Sequence, residues 1–565
     1  MDNNKYNKFK LKVSNDTMET ICKPNKFKLQ PQQEFLSKYL FDNKKTIKGL
    51  LIYHRIGSGK TCTAINIAEK FINSKKYNII VVLPAALIGN FRDELRSQCP
   101  QGVEYITKTQ NNQLKNLKPT DKIFKNIIED SNKKIDENYT IYSYHKFIEL
   151  INDKKIKLKN TLLIIDEIQN MISMTGTFYK TLKNLIDKTD DSLRLLLLSA
   201  TPMFDRPNEI ALTLNLLRPK IPLPIGNEFN NKFLKIKKNN LTTYYEPTNL
   251  DKFSKLTKNM ISYYRGAPPQ AFPKMEFLTV KCKMSKFQYK SYLTSLSTIE
   301  GYDNIKGFKN TDILKLPPDF FLGPRMISNI AFPNKSIGEL GFSSLKNNTL
   351  QLQNIKNYSI KFYKIFKKIK ISTGPIFIYS NFKDIGGLKS LIHFIEYQGY
   401  KNYTTFGSGN KRYAIWSGDE PHHIKEEIKY VFNQKENKDG SNIKIMLGSP
   451  SIKEGVSLLR IDQIHILEPY WNISRIDQII GRGIRFCSHK DMPKNKRLVQ
   501  VFLYLATFNK EQTIDQYIWS IAKKKHQLIK EFEHILKENA IDCKLFHARN
   551  YYPKIDENKL ICNTK

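Results

Sequence analysis

Short apolar runs alternate with amphipathic helical stretches from Phe27 to about Arg218. This alternation predicts a parallel α/β sheet, because the helices then connect successive strands. The predicted strands are Leu50–Tyr53, Ile79–Leu83, Thr140–Tyr142, Leu162–Ile165 and Leu195–Leu198. Each of the last four runs into a polar or proline-bearing segment at its carboxyl end, which is where such sheets bind ligands.

A second pattern of the same kind begins near residue 361 and continues to about residue 510. Its predicted strands are Pro375–Ser380, Ile443–Leu447, Gln463–Leu467 and Leu498–Leu505. The fold class is therefore predicted to be α/β, with two tandem parallel-sheet lobes at residues 27–218 and 361–510.

Three further segments differ from these lobes. Residues 219–360 are broken by prolines and are interpreted as a partly helical insertion or bridging region. Residues 511–565 carry a long helical pattern and are predicted to form a helical C-terminal extension. Residues 1–26 are polar, lysine-rich and without periodicity, which predicts a flexible N-terminal arm.

The composition and charge of the chain indicate a polyanionic partner. The chain has 565 residues, 40% of them hydrophobic, which is enough to bury cores and excludes global disorder. Its formal net charge is +39, which favours nucleic acid as a partner. The alternative is that the lysine, asparagine and isoleucine content reflects an AT-rich genome, without selection for binding.

Cysteine usage and apolar runs bear on the compartment. The seven cysteines are scattered without a CxxC pair, which gives no support to a zinc site or a disulfide framework and fits a reducing compartment. No apolar signal core or membrane-length run is present in the sequence. We therefore expect a soluble intracellular protein that does not bind membranes.

The strongest chemical motif follows the first predicted strand. A strand, a glycine turn and a Lys-Thr pair form a phosphate-binding loop, in which backbone N–H groups and the lysine hold phosphates and the hydroxyl binds Mg²⁺. His54 departs from the GxxxxGK[ST] pattern, which has glycine at that position. A glycine turn that caps an ordinary helix is the alternative. The residues expected at the nucleotide are Gly57, Ser58, Gly59, Lys60, Thr61 and Cys62.

An acidic motif completes the predicted first-lobe site. The strand Leu162–Ile165 runs into Asp166-Glu167-Ile168-Gln169, so that Asp166 is predicted to bind Mg²⁺ with Thr61 and Glu167 to orient the attacking water. Gln169 is assigned to the same catalytic set. A solvated helix start is the alternative for an isolated Asp-Glu pair.

Hydroxyl and amide side chains are predicted to connect this site to its surroundings. Ser199 and Thr201, in Ser199-Ala200-Thr201-Pro202, could hydrogen-bond to Asp166 or Glu167 and relay the phosphate state to the other lobe, although the tetrapeptide alone is an ordinary turn. Gln33 is placed to recognise the adenine edge, or else belongs to a plain helix-starting proline turn.

The second lobe carries two arginines that could contact a nucleotide held by another domain. Gln478, Arg482 and Arg485 are spaced i, i+4 and i+7, which on a helix puts them on one stripe. Such arginines can stabilise transition-state charge on a triphosphate held by another domain. Gly455, in Lys453-Glu454-Gly455-Val456-Ser457-Leu458, would let the backbone approach a ligand.

In this order, Gln33, GSGKT, DEIQ, SATP, KEGVSL and QIIGRGIR resemble the motifs of superfamily 2 helicase-like NTPases over nearly all of residues 27–510. EPYWN followed by SRIDQIIGRGIRFCSH is similar to the ATPases of large nucleocytoplasmic DNA viruses, such as the poxvirus-type early transcription factor small subunit and nucleoside triphosphatase I. Gln169 in place of histidine is a departure from the family pattern.

The resemblance implies two RecA-like lobes, ATP and Mg²⁺ as cofactors, and a DNA-stimulated ATPase of the helicase or translocase type that acts in viral transcription. DNA is favoured over RNA as the track, and a viral RNA polymerase or a second transcription-factor subunit is the implied protein partner. The implied location is the virion and the host cytoplasm. The alternative is a non-catalytic DNA-binding or scaffolding subunit that retains a motor fold.

Overall fold

The chain divides into two compact units. In the computed structural model the first unit comprises Met1–Lys235, Tyr245–Pro269 and Gln527–Lys565, and the second comprises Ile236–Tyr244 and Gln270–His526. The structure describes residues 3–13, 16–23, 27–114, 116–117, 121–172, 176–238, 242–297, 311–312, 314, 321–453 and 456–563.

The strands are numbered along the chain. They are β1 (Gly49–His54), β2 (Asn78–Leu83), β3 (Tyr139–Ser143), β4 (Thr161–Ile165), β5 (Arg194–Ser199), β6 (Leu234–Lys238), β7 (Thr242–Pro247), β8 (Ile261–Tyr264), β9 (Lys274–Lys283), β10 (Thr311–Asp312), β11 (Ile376–Tyr379), β12 (Lys401–Asn402), β13 (Arg412–Trp416), β14 (Ile445–Gly448), β15 (Gln463–Ile466) and β16 (Leu498–Thr507).

The α-helices are numbered in the same way. They are α1 (Asn3–Tyr6), α2 (Met18–Ile21), α3 (Pro31–Asp42), α4 (Lys60–Asn73), α5 (Ile88–Arg96), α6 (Lys108–Leu114), α7 (Lys122–Asp136), α8 (Tyr144–Asn152), α9 (Thr177–Lys188), α10 (Glu209–Leu216), α11 (Gly226–Phe233), α12 (Leu250–Thr257), α13 (Lys286–Ser297), α14 (Leu322–Asn329), α15 (Gly338–Phe342), α16 (Asn347–Leu350), α17 (Leu352–Tyr358), α18 (Ile360–Ile371), α19 (Leu388–Tyr397), α20 (Tyr403–Phe406), α21 (His422–Phe432), α22 (Ile473–Gly483), α23 (Ile514–Glu538) and α24 (Cys543–Asn550).

The sheet of the first unit runs in the order β3-β2-β4-β5-β1-β8, and all of its pairings are parallel. Leu50, Leu51 and Ile52 of β1 are fully buried. Continuous apolar strands of this kind are typical of parallel sheets that are covered on both faces. Ile65 and Phe71 of α4 pack into the same core as Leu50 and Ile52.

The sheet of the second unit runs in the order β12-β13-β14-β11-β15-β16-β9, again with parallel pairings throughout. Ile376 and Ile378 of β11 belong to one core cluster, while Phe377 and Tyr379 belong to another. Because successive side chains of a strand point to opposite faces, both faces of this sheet are buried. The predicted fold class, two parallel α/β lobes with a helical tail, is confirmed.

The segment 219–360 contributes to both sheets. β8 pairs with β1 in the first sheet, and β9 pairs with β16 over ten residues in the second. Both strands lie close to prolines, at positions 268, 269 and 273, which favoured an irregular interpretation. Strands at the edge of a sheet tolerate such flanking prolines.

The N-terminal residues differ from the flexible arm that we expected. Tyr6 and Phe9 are buried, and their rings lie 5.4 Å and 6.1 Å from the ring of Phe35, between centroids. These two aromatic residues are three positions apart, so one turn of helix presents both to α3. Aromatic packing therefore orders a segment that is polar in overall composition.

The structure contains disulfides, contrary to the expectation from the scattered cysteines. Cys62 pairs with Cys99 and Cys543 with Cys562, with Cα–Cα distances of 5.7 Å and 5.6 Å. The partners of these two pairs are 37 and 19 residues apart in the sequence. The fold brings them together, and no local sequence motif indicates the pairing. Cys282 is a buried free thiol.

A helix that spans a membrane must be both long and apolar. Among the residues that the structure describes, none of the helices combines the length and the apolar character needed to cross a bilayer.

Candidate nucleotide site

The predicted phosphate loop connects β1 to the first residue of α4. Gly57 and Gly59 have φ angles of +78° and +79°, a region that favours glycine, and the helix begins at Lys60. The backbone N–H of Ser58 donates to the carbonyl of Arg55 at 3.2 Å. The first turn of α4 therefore follows directly on the loop, with its free N–H groups at an end that attracts anions.

Gln33 lies against this loop. Its Nε2 donates to the carbonyl of Gly59 at 3.3 Å, and its Oε1 accepts from the backbone N–H of Gln30 at 2.8 Å. A Cβ atom on Gly59 would come within 2.7 Å of that Nε2. Gln33 thus fixes the start of α3 against the loop, and recognition of adenine by its amide stays a prediction.

The acidic turn follows β4 and has an uncommon backbone. Glu167 has a φ of +50°, and its N–H donates to Oδ1 of the buried Asp166 at 2.9 Å. The hydroxyl of Tyr144 donates to the carbonyl of Glu167 at 2.9 Å and also to that of Asp166. A left-handed conformation is costly for a residue with a side chain, and the Tyr144 contacts hold it in place.

The phosphate loop and the acidic turn meet. Nζ of Lys60 lies 3.6 Å from Oε1 of Glu167, and the two side chains are 11% and 25% exposed. β1 and β4 are separated in the sheet by β5, so both motifs leave the same edge, where the carboxyl ends of the strands lie. The fold therefore brings two motifs that are about a hundred residues apart in the sequence into one site.

The donor set suits a nucleotide phosphate with Mg²⁺. Thr61 and Asp166 offer the hydroxyl and carboxylate oxygens that Mg²⁺ prefers. Oγ of Ser58, in the loop itself, is buried and has no hydrogen-bond partner among the described residues. An unsatisfied buried hydroxyl beside free helix N–H groups fits an oxygen-rich anion.

A chain of side-chain hydrogen bonds leads away from Glu167. Nε2 of Gln169 donates to Oε2 of Glu167, and Oγ of Ser199 donates to Oε1 of Gln169 at 2.6 Å. The N–H of Thr201 donates to Oγ of Ser199 at 3.0 Å. We expected Ser199 and Thr201 to contact the carboxylates directly; Gln169 instead stands between, because its longer side chain reaches both groups.

In the second unit the predicted arginine stripe is broken. α22 ends at Gly483, so Gln478 and Arg482 are helical but Arg485 is not. Glycine is a poor helix former, and two glycines, at 481 and 483, precede Arg485. The placement of Arg485 at i+7 on a continuous helix is therefore wrong.

Arg485 folds back on the helix end. Its Nε donates to the carbonyl of Gly481 at 2.9 Å, and its guanidinium also contacts Oγ of Ser457. The carbonyl of Arg482 accepts from the N–H of Leu458 at 2.8 Å. Burial, and then the like charge of Arg482, lower the pKa of Arg485 below its ordinary value. Gly455 lies outside the described residues.

The predicted site residues divide between the units. Those that the first unit brings into one contact network, or into the loop itself, are Gln33, Gly57, Ser58, Gly59, Lys60, Thr61, Asp166, Glu167, Gln169, Ser199 and Thr201. Cys62 is in the first turn of α4 but bonded to Cys99. Gln478, Arg482 and Arg485 belong to the second unit. Sequence reasoning missed Tyr144, which carries no motif and is the first residue of α8, directly after β3.

The family model of the SNF2-related domain matches residues 32–328. A "Putative ATP-dependent RNA helicase" of Acanthamoeba polyphaga mimivirus is 48% identical over 551 residues, which cover 97% of this chain and 95% of the relative. A "Termination factor NPH-I homolog" of African swine fever virus is 28% identical, over 88% of this chain and 76% of the relative.

Among solved structures, a Sulfolobus solfataricus SWI2/SNF2 ATPase core in complex with dsDNA covers 93% of this chain and 97% of its own at 15% identity, with a TM-score of 0.33. The family match and the mimivirus relative decide the assignment and confirm the resemblance to helicase-like NTPases of large DNA viruses. The chain belongs to the SNF2-related domain family of helicase-like proteins.

Proposed function

We propose that the protein is a nucleic-acid-dependent ATPase of the helicase or translocase type. It couples ATP hydrolysis to movement on, or remodelling of, DNA. The observation that supports this most strongly is the contact between Lys60 and Glu167 beside the loop that contains Gly57 and Gly59. A phosphate entering the loop would take over the contact with Lys60, which frees Glu167 to act on a water molecule.

The side chains of the first unit have separable tasks in this proposal. Lys60 and the N–H groups at the start of α4 bind phosphate oxygens, and Thr61 and Asp166 hold the metal. Mg²⁺, when bound, neutralises charge on the phosphates. Glu167 orients water and accepts its proton. Gln169 keeps the Glu167 carboxylate oriented and, through Ser199, links it to the segment after β5.

Arg482 and Arg485 are assigned a charge-stabilising role. A guanidinium that meets the transferred phosphoryl group stabilises its transition state, and such residues accelerate hydrolysis by about 10³–10⁵-fold. Hydrogen bonds to the segment 456–458 support this assignment. The guanidinium of Arg485 contacts Oγ of Ser457, and that of Arg482 donates to the carbonyl of Val456 at 3.5 Å, so both charged groups have little freedom to reorient.

The track is proposed to be nucleic acid, with DNA favoured. The net charge of +39 supports a polyanionic partner. The African swine fever virus relative is named a termination factor, which supports a role in viral transcription, with a viral RNA polymerase or a second factor subunit as partner. The mimivirus relative is named an RNA helicase, so RNA is the competing track. The proposed location is the host cytoplasm and the virion.

One set of assays tests the proposal. ATP hydrolysis by the full chain is measured alone and with single-stranded DNA, duplex DNA or RNA at stated salt concentrations, with Lys60→Ala as the control. We expect nucleic acid to stimulate hydrolysis by the wild-type protein, DNA more than RNA. Stimulation should weaken steeply between roughly 50 and 200 mM salt, because phosphate contacts release counterions.

Two results would contradict the proposal. Wild-type protein that binds DNA but hydrolyses no ATP under any of these conditions would indicate a non-catalytic scaffolding subunit. Hydrolysis that survives unchanged in Lys60→Ala would remove the first unit as the site of the reaction.

A further inference from the structure

The first position of the phosphate loop is His54, where the general pattern has glycine. The side chain is fully buried at the end of β1. Its Nε2 lies 2.9 Å from Oγ of Ser262 in the neighbouring strand β8. Nδ1 is buried and has no hydrogen-bond partner among the described residues, so the ring is held through Nε2.

Ser262 also contacts the C-terminal part of the chain. Its hydroxyl donates to Oδ2 of Asp542, and Oδ1 of Asp542 accepts from the N–H of Tyr263 at 3.0 Å. All atoms of Ser262 and Asp542 are buried. The Asp542 carboxylate thus has two hydrogen-bond donors, and the Ser262 hydroxyl contacts both Asp542 and the His54 ring. These contacts form a continuous relay from the phosphate loop to residue 542.

The segment 541–550 is fastened to the open edge of the same strand. The N–H of Ile541 donates to the carbonyl of Ile261 at 2.8 Å, and Nδ2 of Asn550 donates to the carbonyl of Tyr263 at 2.9 Å. β8 is the last strand in the sheet order, so these contacts satisfy backbone groups that an edge strand would otherwise expose.

The same strand continues against the phosphate loop. The N–H of Arg55 donates to the carbonyl of Tyr264 at 3.0 Å. Gly266 has a φ of +110°, and a Cβ atom placed on it would lie 3.6 Å from Cβ of Ser58. A shift of β8 would therefore reach Arg55 and Ser58 through direct contacts.

The protonation states keep the relay connected. Burial, and then the charge of Lys60, lower the pKa of His54 to about 3, so the ring is neutral. Burial raises the pKa of Asp542 to about 7. Ser262 donates to an ionised Asp542 and accepts from His54, or does the reverse when Asp542 is protonated, so no link is lost in either form.

We propose that His54, Ser262 and Asp542 are positioning residues of the nucleotide site, through which the C-terminal segment holds the phosphate loop in its binding conformation. This inference rests on the proposed function, since it concerns how well the loop accepts ATP. The three residues do not touch the reacting atoms. They set the position of the loop that does.

The test compares two serine substitutions in the full chain. Ser262→Ala breaks the relay. Ser254→Ala is the matched control, because Oγ of Ser254 donates to Oδ1 of Asn539 at 3.1 Å and so joins the same two parts of the chain away from the loop. The KM for ATP, kcat, the Kd of a fluorescent ATP analogue and the Tm are measured for each variant.

We expect Ser262→Ala to raise the KM and the Kd by about tenfold, the effect of one hydrogen bond, and to change kcat by less than about twofold. Ser254→Ala should keep wild-type KM and Kd even where its Tm falls equally. Asp542→Asn should retain most of the affinity, since an amide can donate to Ser262 and accept from Tyr263, whereas Asp542→Ala should not.

Three outcomes separate the possible failures. If Ser262→Ala and Ser254→Ala bind ATP as the wild type does, the relay is only structural and the inference is overturned. Equal losses of affinity in Asp542→Asn and Asp542→Ala would also overturn it, because the geometry would then not be what matters. If the wild type neither binds nor hydrolyses ATP, the proposed function itself fails.

Discussion

Nζ of Lys60 and Oε1 of Glu167 are 3.6 Å apart, although the two residues follow strands, β1 and β4, that are not neighbours in the sheet. The carboxylate occupies the place beside the ammonium that a phosphate oxygen takes in the proposed cycle. Binding of phosphate to Lys60 therefore releases Glu167 for water activation. A substitution at Glu167 should therefore lower turnover without lowering nucleotide affinity, whereas one at Lys60 should lower both.

Glu167→Gln tests the base. The amide keeps the size of the side chain but cannot accept the proton of water, so we expect ATP binding within about twofold of the wild type and a loss of about 10²–10⁴-fold in kcat. ATP hydrolysis and binding of a fluorescent analogue measure the two effects. Glu149→Gln, on the exposed part of α8, should change neither. Turnover near the wild-type rate would exclude Glu167 as the base.

Arg485→Ala tests the charge-stabilising role. We expect turnover to fall by about 10³–10⁵-fold with nearly unchanged ATP binding. Since Arg485 also contacts Ser457, Ser457→Ala is the control that removes only this local contact. Single-turnover hydrolysis and Tm should be recorded for both. Wild-type turnover in Arg485→Ala, or an equal loss in Ser457→Ala, would contradict the assignment.

Tyr144→Phe tests the support of the acidic turn. Loss of the hydroxyl leaves the carbonyls of Asp166 and Glu167 without this donor, and we expect a decrease of about 1–3 kcal/mol in the free energy of unfolding. The left-handed backbone at Glu167 should relax, and kcat should fall more than the affinity for ATP. Urea unfolding and steady-state kinetics provide the measurements. Unchanged kinetics would show that the turn holds its shape without Tyr144.

Asp542 predicts a pH dependence of stability. Burial raises its pKa from the ordinary 3.8 to about 7 in the folded protein. Between these values the folded protein holds a proton that the unfolded chain has released, so its contribution to stability declines from about pH 4 to about pH 7 and is lost above. Asp542→Asn should flatten this decline. Tm values at pH 5 and pH 8 test it, and parallel profiles for both proteins would contradict it.

The disulfides can be tested chemically. Mass spectrometry of peptides from non-reduced protein should recover Cys62 joined to Cys99 and Cys543 joined to Cys562. Reduction should lower stability by about 2–4 kcal/mol per bond. Cys282 should be modified by a thiol reagent only after unfolding, because it is buried. Recovery of Cys62 as a free thiol from non-reduced protein would contradict the pairing.

The sequence predicted most strands and the glycine-containing loop between β1 and α4 because these depend on local order. The predicted strand Leu162–Ile165 is observed as Thr161–Ile165, and the motif at its end is where apolar residues give way to acidic ones. Glycines at 57 and 59 signal backbone angles that other residues avoid.

What the sequence could not supply depends on partners distant along the chain. Tyr144 and Asp542 are ordinary residues until the fold brings them to the acidic turn and to Ser262. To predict that α22 ends before Arg485, the periodic pattern has to be weighed against two weak helix formers, the glycines at 481 and 483. Periodicity alone favours the longer helix. The disulfide partners likewise become neighbours only in the folded chain.

The attachment of residues 541–550 to the outer side of β8 has a consequence for biosynthesis. A ribosome releases the phosphate loop several hundred residues before it releases residues 541–550, so the first unit stays incomplete until this segment has been synthesised. A polypeptide truncated before Ile541 would carry a bare strand edge, and such edges promote self-association. Premature termination before this segment should therefore yield aggregates.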